Sequence, residues 1–234
     1  MSTLSITASV PDLSDWDGVR VWVEDRLRCL RQTSFDEPLR ATFTAVDAPA
    51  SFSTMLGPYG SPLWRRLAVA AFLADWACYE KPGDRVDFSR LLFVMSVFPS
   101  GFRVWMCRLP DGSFVPVGYT GWYPVSETVY ESLARNDVHI DYRGLAIPWS
   151  KVGDTGNYIY LFNYSIIEAL RKSRESRIMM TFLAEQIGHI PIAGMAATVV
   201  SEDGARVARR FGLEYVRDVK IDGHSQRVFA TPCR

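Results

Sequence analysis

Three consecutive runs rich in aromatic and β-branched residues constrain the fold more than any other part of this sequence. They cover residues 89–98 (SRLLFVMSVF), 102–109 (FRVWMCRL) and 114–123 (FVPVGYTGWY), and the short segments PSG and PDGS separate them. Residues of these types favour strands, whereas Pro, Gly, Asp and Ser favour tight turns. The pattern therefore predicts three antiparallel strands joined as a meander.

Two helices are predicted before these runs. Residues 14–32 carry apolar side chains at helical spacing, and Ser14 can cap the N-terminus of this helix. The second helix is predicted from about Pro62 to Tyr79, and the sequence KPGD ends it. The connection between them, residues 33–61, mixes Pro, Gly, Ser and Thr with scattered aromatic residues and is typical of a long connection with at most short pieces of structure.

Beyond the three runs, the sequence alternates between helical and strand patterns. A short helical or irregular segment is predicted at 126–135. Helices are predicted at 157–174 and 201–211, and strands at 138–147, 177–184, 213–221 and 226–231. This order predicts an α+β fold with a mixed central β-sheet flanked by helices and preceded by an N-terminal helical extension. We expect residues 1–99 to pack on the sheet, residues 100–234 to form the core, and both parts to make one continuous domain.

The last predicted helix has the clearest boundary signals in the chain. Ser201 can cap its N-terminus, and Glu202 and Asp203 follow in its first turn. Arg209 and Arg210 stand in its last turn. This distribution of charge matches the helix dipole, which favours acidic residues at the start and basic residues at the end.

The charge balance excludes some classes of partner. The chain has 26 basic and 26 acidic side chains, so it lacks the basic excess that nucleic-acid binding requires. It also offers no polybasic signal for a membrane surface. We therefore expect neither nucleic acid nor a membrane to be its main partner.

Targeting signals and cysteine chemistry are also constrained. The N-terminus lacks a basic segment followed by an apolar one, and the most apolar run, residues 67–74, is shorter than the roughly 20 residues of a membrane span. These features predict a cytoplasmic protein. The four cysteines lie far apart, without the spacing of a zinc site, so we expect neither disulfides nor a metal.

Residues 199–216 (VVSEDGARVARRFGLEYV) resemble the last-helix motif of the GNAT (general N-acetyltransferase) superfamily. In that motif a capped helix ends in Gly and a hydrophobic residue, here Gly212 and Leu213, and continues into a strand. The resemblance covers roughly residues 100–231, because the predicted elements follow the family order: meander, strand four, cofactor helix, strand five, short helix and terminal hairpin. It implies a GNAT-like mixed sheet that binds coenzyme A at the cofactor helix.

The resemblance also implies a phosphate-binding loop, in which Arg or Gln, two residues, Gly, one residue and Gly or Ala open the cofactor helix. Backbone N–H groups and the helix dipole hold the pyrophosphate there. Residues 143–146 (RGLA) come near this pattern, and residues 151–156 (KVGDTG) stand directly before the predicted helix. The candidate cofactor contacts are Arg143, Lys151, Gly153, Thr155, Gly156, Asn157 and, where the family often has Asn, Ser201. The alternative is a bare turn with a helix cap.

In this family strand four borders the donor thioester, and the resemblance places the strand that contains His139 there. Alternation along this strand puts His139 and Asp141 on one face, where the carboxylate can support the imidazole as a general base. Polar alternation on a half-exposed strand is the alternative interpretation. Glu185 and His189, just beyond predicted strand five, are further candidates. Ala208 stands where many members have a Tyr that protonates the leaving thiolate.

The resemblance implies an N-acyltransferase that moves an acyl group from acetyl-CoA or a longer acyl-CoA to an amine by direct attack. The acceptor would be a small molecule or a peptide. A second interpretation is an acyltransferase of the toxin-activating type, whose donor is an acyl carrier protein. The basic residues that could meet an acidic carrier are Arg143, Lys151, Arg171 and Lys172. A third is a GNAT-fold binding protein without catalysis, which the weak phosphate loop and Ala208 favour.

Overall fold

The computed structural model describes residues 21, 43–46, 62–79, 81–108, 114–135, 152–221 and 224–232. The strands in this part of the chain are β1 (Phe43–Val46), β2 (Phe102–Arg108), β3 (Phe114–Val125), β4 (Asn157–Ile166), β5 (Ile192–Val199), β6 (Glu214–Ile221) and β7 (His224–Ala230). The α-helices are α1 (Pro62–Cys78), α2 (Phe88–Val97), α3 (Glu127–Arg135), α4 (Arg174–Gly188) and α5 (Glu202–Arg210).

The described strands form a single mixed sheet. Its strand order is β1-β2-β3-β4-β5-β7-β6. The β4–β5 pair is parallel, and the other five described pairs are antiparallel. The predicted α+β class with a mixed central sheet is therefore confirmed.

Several predicted elements occur where the sequence placed them. The helix that starts at Pro62, the strands β2 and β3, and the terminal hairpin of β6 and β7 match their predictions. The segment predicted as helical or irregular forms helix α3. The cap of α5 is also confirmed, because the Ser201 hydroxyl oxygen accepts a hydrogen bond from the Gly204 N–H at 3.1 Å. Of the first predicted helix, only Val21 lies within the described residues, and it is helical.

The prediction of a strand at residues 89–98 is wrong, because this run forms helix α2. The Asp87 carboxylate caps its N-terminus by accepting a hydrogen bond from the Arg90 N–H at 3.0 Å. Leu91, Val94 and Met95 are fully buried. A short run that is apolar at most positions fits a buried helix and a buried strand equally well. The cap residue Asp87 before the run is the sequence signal that favours the helix.

The prediction of a helix at 157–174 followed by a strand at 177–184 is wrong in both elements. Residues 157–166 form β4, and residues 174–188 form α4. The aromatic run NYIYLFNYSI has a spacing that fits either structure, and its β-propensity prevails. Helix α4 begins after Ser173, whose hydroxyl accepts a hydrogen bond from the Ser176 N–H at 3.2 Å.

This exchange moves the central parallel pair along the chain. The sequence placed strands four and five of the family order at residues 138–147 and 177–184, whereas the structure forms its parallel pair from β4 and β5. The predicted strand at 138–147 lies outside the described residues. The order of element types follows the expectation, but each central element occurs later in the chain.

Helix α1 is packed against the middle of the sheet. Residues 68–74 are all between 0 and 2% exposed, and the helix contacts β3 and β4. A helix that is apolar on all sides is buried on all sides, as its sequence predicts. Helix α4 buries Met179, Leu183 and Ile187, which recur every four residues along one face. The predicted division of the chain into an N-terminal part, residues 1–99, and a core, residues 100–234, stays a prediction.

Candidate functional site

The parallel strands β4 and β5 separate halfway along their length. Their pairing runs from Asn157↔Ile192 to Leu161↔Ala197, while β4 continues beside β3 as far as Gly118↔Ile166. The register between β3 and β4 shifts next to Phe162, which has no Cα partner in β3. A bulge of this kind bends a strand. The divergent segment of β4, residues 162–166, therefore has one edge in the described structure that β5 does not cover.

A cleft of about 660 Å³ lies at this divergence. The end of β4, the turn at 168–172 and the first two turns of α4 line it, together with the end of β5, helix α5 and the segment around the end of α1. Its lining residues include Cys78, Tyr79, Lys81, Tyr164, Ser165, Ile166, Arg171, Ser176, Arg177, Ser201, Gly204 and Arg210. The volume is within the range of small-molecule sites in proteins.

The turn between β4 and α4 directs the helix N-terminus into the cleft. The Arg171 guanidinium donates hydrogen bonds to the carbonyl oxygens of Cys78 at 3.1 Å and Ile166 at 3.5 Å. Lys172 has a positive φ of 61°, and Ser173 caps α4. Arg171 thus fixes the turn between the end of α1 and the end of β4. The first N–H groups of α4 point toward the turn, where a helix favours anions.

This turn follows β4 and precedes a helix, which is where the resemblance expects its phosphate-binding loop. Its sequence is Arg171-Lys172-Ser173-Arg174-Glu175-Ser176, so that the arginine is retained while Arg174 and Ser176 occupy the places of the two small residues. Sequence reasoning missed this loop because it looked for glycines and placed a strand over its helix. The capping sequence from Ser173 onward was the signal that could have found it.

The cleft is more basic than the chain as a whole. The lining includes six basic side chains, Lys81, Arg171, Lys172, Arg177, Arg206 and Arg210, against three acidic ones, Asp84, Glu168 and Asp203. The whole chain has equal numbers of both. Asp203 is also neutralised, because it forms an ion pair with Arg206 at 2.6 Å. An anionic ligand is therefore favoured at this cleft.

Tyr164 connects β4 to the first turn of α4 within the cleft. Its hydroxyl donates a hydrogen bond to the Ser176 carbonyl at 2.6 Å. Burial raises the pKa of Tyr164 to about 12, although the nearby positive charge of Arg210 acts to lower it. The side chain therefore stays protonated at neutral pH and keeps this bond to the helix.

The structure places one described residue of the predicted cofactor set, Ser201, in the cleft. Gly153, Thr155, Gly156 and Asn157 lie at the opposite end of β4, where it pairs with β5. The length of β4 separates them from the cleft, about 30 Å at roughly 3.3 Å per residue. The predicted helix start at Asn157 is wrong, so these glycines do not open a helix.

Asn157 has a structural role at that end of the sheet. Its side-chain oxygen accepts a hydrogen bond from the Gly153 N–H at 2.7 Å. Its side-chain nitrogen donates to the carbonyl oxygens of Gly153 at 2.9 Å and Pro191 at 3.0 Å. The 153–157 segment is therefore a turn closed by an asparagine, which corresponds to the alternative interpretation of a bare turn.

The predicted catalytic residues do not meet in the described structure. Glu185 is exposed on α4, and His189 follows as the exposed C-terminal cap of the same helix. Thirteen residues separate His189 from Ser176 in the cleft, about 20 Å at 1.5 Å per residue. His139 and Asp141 lie outside the described residues, as do Arg143 and Lys151.

A buried carboxylate behind the cleft wall escaped sequence reasoning. Asp75 is 0% exposed and accepts three hydrogen bonds. The donors are the Val86 N–H at 2.8 Å, the Tyr119 hydroxyl at 2.9 Å and the Asn163 amide at 3.0 Å. An acidic residue at the end of the most apolar run was its only sequence signal.

Burial is the main influence on the pKa values of Asp75 and of the titratable side chains next to it. It raises the pKa of Asp75 to about 7, although the three hydrogen bonds and the charge of Arg85 act in the opposite direction. Burial and the Asp75 charge also raise the pKa values of Cys78, Tyr79 and Tyr119 above their usual ranges. These three groups are therefore neutral at pH 7, and Asp75 is the member of the group that titrates.

The Asp75 carboxyl is expected to make folding stability depend on pH. Its pKa is higher in the folded state than in the unfolded chain, so the folded state binds more protons over the interval from about pH 4 to about pH 7. The stability it contributes is present below this interval and is lost as pH rises through it. Urea denaturation at a series of pH values should show the wild type losing a few kcal/mol relative to Asp75→Asn across that range. A relative gain with rising pH would contradict this assignment.

Within the described residues, no group of three or more His, Cys, Asp and Glu side chains is placed to hold a metal ion. None of their helices combines the length and apolar character that crossing a membrane requires.

Comparison with known proteins identifies similar folds. No protein-family model and no curated protein matches the chain. The loading GNATL domain of CurA from Lyngbya majuscula is similar at TM-score 0.53 and 12% identity, over 70% of this chain and 92% of that one. The GphF GNAT-like decarboxylase in complex with isobutyryl-CoA is similar at TM-score 0.50 and 16% identity, over 71% and 95%. The NatC complex bound to Gag peptide and CoA gives TM-score 0.50 and 8% identity, over 82% and 99%.

Proposed function

Because the chain has the fold of the GNAT superfamily, we propose that it is an acyltransferase that binds an acyl-CoA thioester in the cleft and transfers the acyl group to an amine. The observation that carries this proposal is the basic cleft itself. It combines the divergence of β4 and β5 with the N-terminus of α4. This combination offers an anion site and an open strand edge within one cavity.

The donor is proposed to lie along the divergent segment of β4. Its pyrophosphate would bind the first N–H groups of α4 together with Arg177 and Arg210, which line the cleft. The amide groups of its pantetheine arm would pair with the open edge of residues 162–166, as a peptide strand pairs with a sheet edge. Ser201 would contribute a polar contact from α5. The thioester would then lie near Leu161, where the two strands part.

The ligands of the similar structures support this donor and acceptor class. GphF is in complex with isobutyryl-CoA, and the NatC complex is bound to Gag peptide and CoA. For the present chain we propose acetyl-CoA or a longer acyl-CoA as the donor and a small-molecule or peptide amine as the acceptor. The cytoplasmic location predicted from the sequence stays part of this proposal.

The chemistry is proposed as a direct transfer. The amine nitrogen attacks the thioester carbonyl carbon, a C–N bond forms, and the C–S bond breaks to release the CoA thiolate. The amine gives up a proton to a base, and the thiolate takes up a proton. Ala208 is buried on α5 and has no group to donate, so this helix position supplies no acid.

The proposed base remains His139, with Asp141 as its support. A positioned base contributes about 100-fold or more to a rate. His139→Ala is therefore expected to lower kcat at least ~100-fold while leaving the dissociation constant of acyl-CoA close to that of the wild type. Steady-state kinetics and isothermal titration measure the two quantities. Near-native turnover in a folded His139→Ala variant would remove the residue from this role.

A second candidate donor is an acyl carrier protein. Besides Arg171, six basic side chains on the turn, α4 and α5 are exposed: Lys172, Arg174, Arg177, Arg206, Arg209 and Arg210. A basic rim of this kind attracts an acidic protein. The replacement of both small loop residues by Arg174 and Ser176 also favours a donor with a single phosphate over a pyrophosphate. Arg171, which the sequence assigned to such a surface, is instead engaged with two backbone carbonyls.

A thermal-shift screen separates these interpretations. Acetyl-CoA, longer acyl-CoAs and an acylated carrier protein are each titrated against the wild type, because a ligand at about 100 times its Kd stabilises the folded state by about 2.7 kcal/mol. The best donor is then offered with a panel of amines, and free thiol release is followed. Binding with turnover supports the transferase. Binding without thiol release from any amine would favour the third interpretation, a binding protein without catalysis.

A further inference from the structure

Asp75 is bonded to the part of β4 that forms the cleft wall. Its partner Asn163 follows directly on Phe162, where β4 shifts register against β3, and lies beyond Leu161, the last residue that pairs with β5. The next three residues, 164–166, line the cleft. Asp75 therefore fixes the divergent segment of β4 at its first residue beyond the bulge.

The same carboxylate also fixes a second part of the cleft lining. Val86 donates its N–H to the second oxygen of Asp75, and the neighbouring Arg85 donates to the Tyr79 carbonyl at 2.9 Å. Tyr79 lines the cleft immediately after α1. The Tyr119 hydroxyl attaches this arrangement to β3. One buried carboxylate thus connects α1, β3, β4 and the segment after α1.

We infer that Asp75 is a positioning residue of the site, whose ionised carboxylate holds the divergent segment of β4 and the Tyr79 wall in the arrangement that accepts the donor. The inference rests on the proposed function for the identity of that donor. Ionised Asp75 accepts all three hydrogen bonds. Protonation would turn one carboxylate oxygen of Asp75 into a hydroxyl donor that faces three other donors. One of the three hydrogen bonds to Asp75 would then be lost, and the cleft wall that it holds would loosen.

The direction of the pH effect distinguishes this role from a structural one. The groups that face Asp75 are Tyr119 from β3, Asn163 from β4, Cys78 and Tyr79 from the end of α1, and Arg85 after it. As pH rises through about 7, Asp75 ionises and the wall becomes ordered. Donor affinity then increases, whereas folding stability decreases. A residue that only stabilised the fold would change the stability alone.

The first test needs no donor. Backbone amide NMR shifts of residues 79 and 163–166 are followed from about pH 5.5 to about pH 8.5 in the wild type and in Asp75→Asn. We expect one ionisation near neutral pH in the wild type that is absent in Asp75→Asn. Tyr119→Phe, a milder change that removes one donor to the ionised form, should move the midpoint to higher pH. The same midpoint in all three proteins would overturn the inference.

The second test uses coenzyme A as the probe. If only the ionised form binds, wild-type affinity should increase about tenfold between about pH 6 and about pH 8, because the competent fraction rises from about one tenth to about nine tenths. Asp75→Asn should lack this increase in affinity. Because coenzyme A ionises identically in both experiments, comparing the two proteins isolates the contribution of Asp75. Equal pH dependence in both would overturn the inference. If coenzyme A binds at no pH, the proposed function fails, and the amide titration alone decides the role of Asp75.

Discussion

The double variant Arg177→Glu/Arg210→Glu is expected to bind acyl-CoA about 1000-fold more weakly than the wild type. Both side chains line the cleft, one on α4 and one on α5, and both are exposed. A hydrogen bond to a charged group contributes about 1.5–3 kcal/mol, so the loss of two corresponds to roughly two to four orders of magnitude in affinity. Isothermal titration at fixed ionic strength measures the change.

Arg209→Glu/Lys220→Glu provides the matched control. These side chains are exposed on α5 and β6, lie outside the cleft lining and outside the 171–176 turn, and give the same change in net charge. Salt at about 0.15 M screens charges beyond about 8 Å, so this variant is expected to lose less than about tenfold in affinity. Equal losses in the two variants would show that the overall field of the protein, and not the cleft, holds the donor.

The carboxyl-terminal part of the fold, from α5 to β7, is predictable from sequence because its signals are local. Ser201 caps α5, charges at both ends of the helix match its dipole, and Gly212 follows with a positive φ of 76°. Each signal is satisfied by residues within one or two turns. The central elements are different, because apolar runs such as 157–166 and 174–188 are buried by partners far away in the sequence, and only those partners decide between helix and strand.

The site is less predictable than the fold. Its loop, residues 171–176, contains no glycine, although glycine is the feature by which such loops are recognised in a sequence. The proposed anion site instead combines a helix terminus with arginines on two helices that the chain brings together only after folding. Asp75 is a similar case, since Tyr119 and Asn163 come from two strands 44 and 88 residues away. No local pattern could have joined these residues.

Gly118→Ala is expected to destabilise the protein by about 3 kcal/mol, because the added methyl group meets backbone atoms. A Cβ at this position would lie 2.3 Å from the Ser165 carbonyl oxygen and 3.1 Å from the Ile166 Cα, both in the strand that pairs with Gly118. Gly188→Ala is the control, since a Cβ there meets nothing within 4 Å at the end of α4. Alanine in a helix is favoured over glycine by roughly 0.5–1 kcal/mol, so this control should be neutral or slightly more stable.

Urea denaturation of both glycine variants measures the stability difference, and coenzyme A titration measures its effect on the site. Ser165 and Ile166 line the cleft, so the backbone shift that accommodates Ala at position 118 must move the wall along which the pantetheine arm is proposed to lie. Gly118→Ala should therefore weaken coenzyme A binding even where the variant is fully folded, whereas Gly188→Ala should not. A Gly118→Ala variant within about 1 kcal/mol of the wild type would mean that β3 and β4 are not packed this closely beside the cleft.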